Sequence, residues 1–522
     1  MVEQRDTEAF ATLAETPALN IDQASHVPPL LTRTWYHTGA YLDSAQVSSQ
    51  YKEQYYREPG QNEAERNAML LPDSVLPLVI SLPDGSEIPW ALTAHEEREA
   101  YRSLKGTVLR QEVYALDGTQ QEPRPYLVSE LNHTIRLLQP CGPNRHAVFF
   151  THAREVIDCH YERKLYDVGG KQLADPRVTH AMTLTADAYG NVLQSAAIAY
   201  GRRYDATDPL LTQSDRDKQK RTHIVVSENR YTNAIQSPDA YRTPLLSETL
   251  SYELVKVKPE ANAAHTTNLF RLQEMLGQVK AAGDGLHDIL YEDTEASAAT
   301  ADAPYRRLIE NTRTIYCKDD LSGPLPLGTV EPLALSFESY SLAFTPGLLG
   351  VFDGKISPGA ATALLIGEGK YHDLDGDGRL WIPSGRAFFS ADPASPDQVF
   401  ARNHFYLPKC AQGPFGNLSS VVYDGYDFAV VQTTDALGNS VFAEHDYRVL
   451  QPAKMTDVNG NRTETAFDVL GMVAAGAVRG KAQEPDGKPK GDTLEGFTPD
   501  LSEAQISAFL NDPFGQAAAI LG

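Results

Sequence analysis

The sequence predicts a mainly β protein, an extended antiparallel sheet interrupted by a few helices. Three observations predict it. Aspartates recur every eleven residues, at Asp424, Asp435, Asp446, Asp457 and Asp468. Alternate ones open the same turn, Asp435-Ala-Leu-Gly-Asn439 and Asp457-Val-Asn-Gly-Asn461, and Gly413-Pro-Phe-Gly-Asn417 holds the same phase. Between the turns lie short runs such as residues 440–443 and 462–467, where β-branched and aromatic residues alternate with polar ones, the pattern of a half-buried strand.

Gly-Asn and Asn-Gly pairs supply the positive-φ positions of tight hairpin turns, and a leading Asp can accept hydrogen bonds from its own turn backbone. The other aspartates, Asp424, Asp446 and Asp468, each follow a ring residue: Tyr423, His445 and Phe467. The full repeat is therefore 22 residues, two strands and two unlike turns. A unit of this size cannot bury an apolar face alone, so stacking on its neighbours must supply what core there is. In the run 462–467 one face receives Arg462, Glu464 and Ala466, and the other Thr463, Thr465 and Phe467. Neither face is strongly apolar. The expected sheet is wetted on both sides, has few apolar patches, and confines its buried residues to small clusters beside turns and under helices.

Taken in order, residues 1–30 are acidic, end in Val27-Pro28-Pro29, and read as an arm or a truncated strand. Residues 31–154 read as mixed. A helix is expected over 61–71, a second opens at the Thr93/Glu96 capping box and stops at Gly106, and strands cover 75–82, 107–116 and 126–140. Residues 155–262 return to strands, with repeat-like turns at Tyr166-Asp167-Val-Gly-Gly170 and Asp187-Ala-Tyr-Gly-Asn191, a charged loop over 205–222, and strands at 224–226, 245–252 and 254–257. Residues 263–316 read as a helical insertion: Leu269, Leu272, Leu276 and Val279 stand at helical spacing, with Thr266 or Thr267 as cap and an end near Ala282. An acidic, alanine-rich segment over 283–302 reads as a solvated loop, and a second helix is expected over 304–314 before a strand at Ile315. Residues 317–480 carry the regular array, with a further helix expected inside 329–350. Residues 481–522 read as a Pro/Gly/Lys linker and a last helix capped by Ser502 and Gln505.

The chain has 522 residues, long enough for a large core, and a net charge of -23 from 46 basic and 69 acidic residues. That balance argues against nucleic acid or an anionic membrane as partner. No stretch approaches a membrane-spanning length, and no apolar leader follows Met1. Cys141, Cys159, Cys317 and Cys410 form no C-x-x-C pair and read as reduced thiols.

One motif has metal-binding spacing. Asp373-Leu-Asp375-Gly-Asp377-Gly378 places carboxylates at positions one, three and five of a calcium loop. Position twelve is Ser384 where a bidentate Glu belongs, so a plain Asp/Gly turn competes with the calcium reading; no other cofactor is expected. Catalytic patterns are missing: there is no G-x-S-x-G and no P-loop, and His95-Glu96 is followed by Glu99 where H-E-x-x-H needs a second His. Cys159 and His160, adjacent on a strand, should point to opposite faces. Asp512-Pro-Phe-Gly515 fits the turn class of Gly413-Pro-Phe-Gly416, with a chain-processing sequence as the competing reading. Trp35, Trp90 and Trp381 read as burial under turns, with a sugar platform as the competing reading.

Several strings narrow the search: Leu31-Thr-Arg-Thr-Trp-Tyr-His-Thr-Gly-Ala-Tyr41, Leu380-Trp-Ile-Pro-Ser-Gly-Arg386, Asp446-Tyr-Arg-Val-Leu-Gln-Pro452 and Phe467-Asp-Val-Leu-Gly-Met472. With the aromatic-Asp turns, they resemble YD/Rhs repeats and, over nearly the whole chain, the B component of bacterial insecticidal toxin complexes (Tc toxins, TcB-type) in the part that follows its propeller. The resemblance implies an extended curved sheet forming part of a hollow, non-enzymatic shell. That shell is completed by a C component, encloses a cytotoxic effector, and delivers it through the pore of an A component. It also implies that Met1 lies inside the family's protein and that the product is secreted, after a cytoplasmic stage, without a signal in this stretch. The competing function, from another class, is a secreted or surface YD-repeat module that binds glycans through Trp381 and exposed tyrosines.

Overall fold

The computed structural model describes residues 1–6, 28–41, 46–205, 208–260, 269–390, 392–483, 485 and 487–516. They fall into two compact units. The first comprises Met1–Gln236, Tyr241–Arg313 and Phe344–Pro358, the second Ser237–Ala240, Thr314–Ala343 and Gly359–Gly522. The chain is mainly β, and its large antiparallel sheet is not closed.

In the first unit the antiparallel order is Val2–Asp6, Leu30–Tyr36, Val108–Ala115, Leu127–Gln139, Val148–His160, Arg177–Ala186, Val192–Ala199, His223–Tyr231, Leu246–Val255 and Tyr305–Tyr316. Most of these neighbours are also consecutive in sequence, as short turns require. The expected N-terminal arm thus begins as a strand on Leu30–Thr34, while residues 7–27 lie outside the described residues. The strands read as two, 245–252 and 254–257, are one strand, Leu246–Val255.

The core of this unit lies under the expected helix, Leu272–Ala282. Register aligns His180, Ile198, Ile224 and Leu254 in one cross-strand row and Met182, Ala196, Val226 and Tyr252 in the next. The helix sets Met275, Val279 and Ala282 onto Met182, Ile198, Ile224, Val226 and Leu254, with Phe270 fully buried at its entrance. Thr266 and Thr267, the expected caps, lie outside the described residues; the Arg271 N–H bonds Glu274 at 3.2 Å instead. A second cluster forms where Ala100 and Tyr101 of Ala94–Ser103, with its C-cap Leu104, meet Val47 and Ile135, and the Thr93/Glu96 capping box opens that helix as expected.

Polar clamps fasten residues 46–74 to the same sheet. Buried Glu112 accepts the Tyr56 N–H and buried Glu130 the Leu71 N–H, both at 2.8 Å, while Asn132 Nδ2 donates to the Pro72 carbonyl at 2.9 Å. Arg110 lies between the two carboxylates, 2.7 Å from Glu112 and 2.6 Å from Glu130, with its guanidinium 4.6 Å from the Tyr55 ring centre. Each charge is thereby paired and hydrogen-bonded, the condition under which burial is tolerable.

Several expected elements are corrected. Residues 304–314 are not helical but belong to the strand Tyr305–Tyr316, because Arg307 and Arg313 find Glu253 and Glu248 on the neighbouring strand. The 283–302 loop is not simply solvated: Asp288–Ile289 pairs in parallel with Arg306 and Arg307, and Ile289 and Ala299 are buried against Tyr305. The charged loop at 205–222 contains the helix Gln213–Gln219, opened by a Thr212/Asp215 capping box. Inside 329–350 stand the strand Ser336–Phe344 and the start of a 3-10 turn, Leu348–Phe352, in place of the expected helix. The helices Pro358–Gly367 and Gln398–Asn403 were not anticipated.

In the second unit the strands Leu380–Phe388, Cys410–Gln412, Leu418–Tyr423, Val430–Thr434, Ser440–Asp446, Gln451–Thr456, Arg462–Phe467 and Val473–Arg479 pair antiparallel in sequence order. No helix interrupts residues 432–478. Within 413–480 only Phe467 and Ala477 are buried apolar residues, so no sandwich core runs through the array. The tail helix, Glu503–Asn511, is capped by Ser502 and Gln505 as expected.

Met275→Ala should lower the unfolding free energy of the first unit by about 2–5 kcal/mol, the usual cost of emptying a fully buried Met site. Chemical denaturation followed by fluorescence checks this; a loss below about 1 kcal/mol would show that the helix is not seated on a tight core.

Candidate functional site

The repeat array is the chain's distinctive surface, and its turns set its geometry. Asp435 Oδ1 accepts the N–H groups of Leu437 and Asn439, both at 2.9 Å, while Oδ2 accepts the Asn439 amide at 2.9 Å. Asp457 makes the same three bonds to Asn459 and Asn461, and Asp187 to Tyr189 and Asn191. Gly438 closes the turn at φ +85, a conformation that costs a side chain strain. Asp468 also belongs here: its Oδ1 takes the Leu470 and Met472 N–H groups, so the division of aspartates into two strict classes does not hold at this position.

The unlike turns meet along their own row. Tyr447 donates its hydroxyl to Asp424 at 2.6 Å, and the Tyr426 and Tyr447 rings stand edge to face at 6.1 Å. Both residues belong to turns 22 positions apart, the repeat read from the sequence. The Asp424 carboxyl is held down to about 2, first by the Tyr447 hydroxyl and then by the N–H groups of its own turn.

The two faces of the array differ as the strand period dictates. Register sets Glu444 beside Lys454 and Lys454 beside Glu464. The Lys454 ammonium lies 2.6 Å from Glu444, and Arg479 on the last strand lies 3.0 Å from Glu464, so charge alternates in sign across four strands. On the other face Ala443, Met455, Thr463 and Val478 adjoin one another, and Met455 and Val478 are exposed. The expectation of few apolar patches needs correction at the turn tips, where Phe415, Leu437 and Leu470 are each more than 70% exposed.

The residues singled out as sites fare as follows. In the Asp373 loop, Arg379 bonds Asp377 at 2.6 Å and Asp375 at 3.2 Å, while Asp373 accepts the Gly378 N–H at 3.2 Å. An internal cation thus occupies two of the three carboxylates. Cys159 is buried and His160 exposed, on opposite faces; burial pushes the Cys159 thiol up to about 12, which leaves it a poor nucleophile. All four cysteines are free. Trp35 and Trp381 are buried and Trp90 half-buried, so the sugar-platform reading of Trp381 is withdrawn: its face is covered. Asp512 does not open a hairpin turn like Gly413; its carboxylate caps a helical turn by accepting the Gly515 N–H at 3.0 Å. A cleft of about 620 Å³ in the first unit is lined by Arg136, His152 and Asp187, but Arg136 is tied to the Asp187 carbonyl and to Ser81. The buried Arg110 cluster escaped the sequence reading; its one signal was the Arg110-Gln-Glu112 alternation on a strand.

Comparison with known proteins agrees with this architecture. Residues 99–245 match the insecticide toxin TcdB middle/C-terminal region. Over that stretch the match supports the resemblance read first from the turns and strings, and the fold agrees with it. No curated protein matches. Among solved structures, the chain is similar to the crystal structure of TcdB2-TccC3-Cdc42, with a TM-score of 0.59 and 22% identity over 96% of this chain and 21% of that one. TcdB2-TccC3 without its hypervariable C-terminal region gives 0.59 and 21% over 98% of this chain and 21% of that one. The Photorhabdus luminescens Tc holotoxin pore gives 0.57 and 21% over 93% and 20%. The chain thus spans about a fifth of the length of the solved chains it matches. The TcdB-like stretch contains the hairpin Leu127–Gln139/Val148–His160 and the Asp187 turn, so the match and the repeat geometry meet in the first unit.

Two measurements probe these features. Because the folded Asp424 carboxyl titrates near 2 while an unfolded one titrates near about 3.9, its contribution to the turn is complete above pH ~4 and lost as pH falls toward 2. Tyr447→Phe should raise the Asp424 value toward the ordinary one in a carboxyl NMR titration; no change would remove the hydroxyl as the cause. Separately, millimolar calcium should leave the melting temperature where it is, since Arg379 already engages two of the three carboxylates of the Asp373 loop. A rise that Asp375→Ala abolishes would reverse that reading.

Proposed function

We propose that this chain is a structural, non-catalytic section of the shell of a secreted toxin-complex B component. With a C component, that shell encloses a cytotoxic effector for delivery through the A-component pore. The observation that carries the reading is the 413–480 array: six turns at an eleven-residue pitch, one strand thick, with only two buried apolar residues. An enzyme domain needs a continuous apolar face to position a site, whereas a wall with solvent on both sides needs none. The fold similarity to TcdB2 in complexes with TccC3 supports the B-component assignment and the kind of partner.

Co-expression of the B component containing this chain with its C component should give a complex in which the C-terminal segment of the latter resists protease. Replacing Gly438 and Gly460 together by Val should remove that protection, because positive φ excludes a β-branched residue there. Full protection with both turns broken, or saturable glycan binding by the chain on an array, would count against the shell reading.

A further inference from the structure

We infer that His95, Glu99 and His146 form a binding site for a divalent transition-metal cation of the zinc class. The sequence holds only an imperfect hint, a His-x-x-x-Glu spacing on a helix that lacks the second His of a metalloprotease motif. The fold supplies the missing imidazole from elsewhere. His95 and Glu99 lie one turn apart on Ala94–Ser103, and His146 comes from the loop that joins Leu127–Gln139 to Val148–His160.

Both rings converge on one oxygen. Glu99 Oε1 lies 3.3 Å from His95 Nε2 and 2.5 Å from His146 Nδ1, and the three ligand atoms all fall within 4.8 Å of one another. Tetrahedral zinc, with its donors about 2.0–2.2 Å away, sets neighbouring donors roughly 3.3 Å apart. The His95–Glu99 separation already has that value. The His146–Glu99 contact is a hydrogen bond, so a cation would replace its shared proton and push the two atoms apart by under about 1 Å. That movement is available, because the side chains of His95 and His146 are 52% and 59% exposed.

Glu99 is held in place without help from either ring. It is buried, and its Oε2 accepts the Ala147 N–H at 2.8 Å, which fixes the carboxylate and leaves Oε1 facing the imidazoles. One turn earlier, Glu96 accepts the Cys141 N–H at 2.8 Å from the other end of the same loop. The loop is therefore docked on the helix before any metal arrives, and the second-sphere hydrogen bond to Glu99 is of the kind that orients metal ligands. Two imidazoles and one carboxylate leave a fourth position, open to solvent, for water or an external ligand. The consequence is a staple between a helix and a hairpin loop, independent of the proposed shell role.

The test is metal titration of the chelator-treated chain. Cobalt(II) should bind with a stoichiometry of about one and give the visible absorption of a tetrahedral complex, and zinc should displace it. Zinc should also raise the melting temperature. His95→Ala and His146→Ala, both at exposed positions, should each abolish the cobalt band and the zinc-induced rise, while the metal-free melting temperature falls only slightly with the loss of an exposed contact to Glu99. Glu99→Gln, which keeps an acceptor for the Ala147 N–H, should weaken zinc binding at least tenfold. Absence of a stoichiometric cobalt complex in the parent chain, or wild-type zinc binding by the double His variant, would overturn the site and leave a hydrogen-bonded cluster only.

Discussion

A carboxylate that accepts two backbone N–H groups of its own turn is the interaction on which this architecture rests. Asp187, Asp435, Asp457 and Asp468 each do so, and each turn is closed by a glycine with positive φ. Turn geometry fixes hairpin register, and register decides which side chains share a face. With every turn at the same pitch, the array repeats both faces from one hairpin to the next. The alternating charges of Glu444, Lys454 and Glu464 follow directly from that register, while Arg479, opposite Arg462, reaches Glu464 diagonally.

The two units solve the uncovered face of a sheet differently. In the first, helix Leu272–Ala282 covers rows of Ile, Val, Leu and Met, and residues 46–74 cover a polar region through Glu112, Glu130 and Asn132. The buried Arg110 pairs satisfy groups whose isolation would cost several kcal/mol, about 3–5 if one partner were removed. Such pairing specifies where the covering segment sits more than it adds stability. In the 413–480 array of the second, charge pairs and half-exposed side chains face solvent, and exposed apolar residues stand both at turn tips, as Leu437 and Leu470 do, and on strands, as Met455 and Val478 do. Little is buried there, so its order rests on hydrogen-bonded turns and ladders.

That division suits the proposed shell wall. A strand array thick enough for a core on each face would need two layers, whereas a single layer that stays soluble must have polar faces and manage its edges. The similarity to TcdB2 in its complexes extends over nearly the whole chain yet only a fifth of those chains. The proposed zinc-class site belongs to the first unit, where a helix is already docked on a hairpin.

The sequence by itself determined what short-range chemistry controls. The eleven-residue pitch, the hairpin strands between 413 and 480, the Thr93 and Ser502 caps and the Leu272–Ala282 helix all depend on residues within a turn or two of one another. Reading failed where distant partners decide. Residues 304–314 look helical in isolation, but Glu248 and Glu253 on a strand more than fifty positions earlier make their arginines strand residues. In the Asp373 loop the partner is local: Arg379 folds back onto Asp375 and Asp377, which favours the plain Asp/Gly turn over the competing calcium reading. The Arg110 cluster and the meeting of His146 with His95 and Glu99 belong to tertiary structure alone, because no local pattern records which loop a sheet will bring beside a helix.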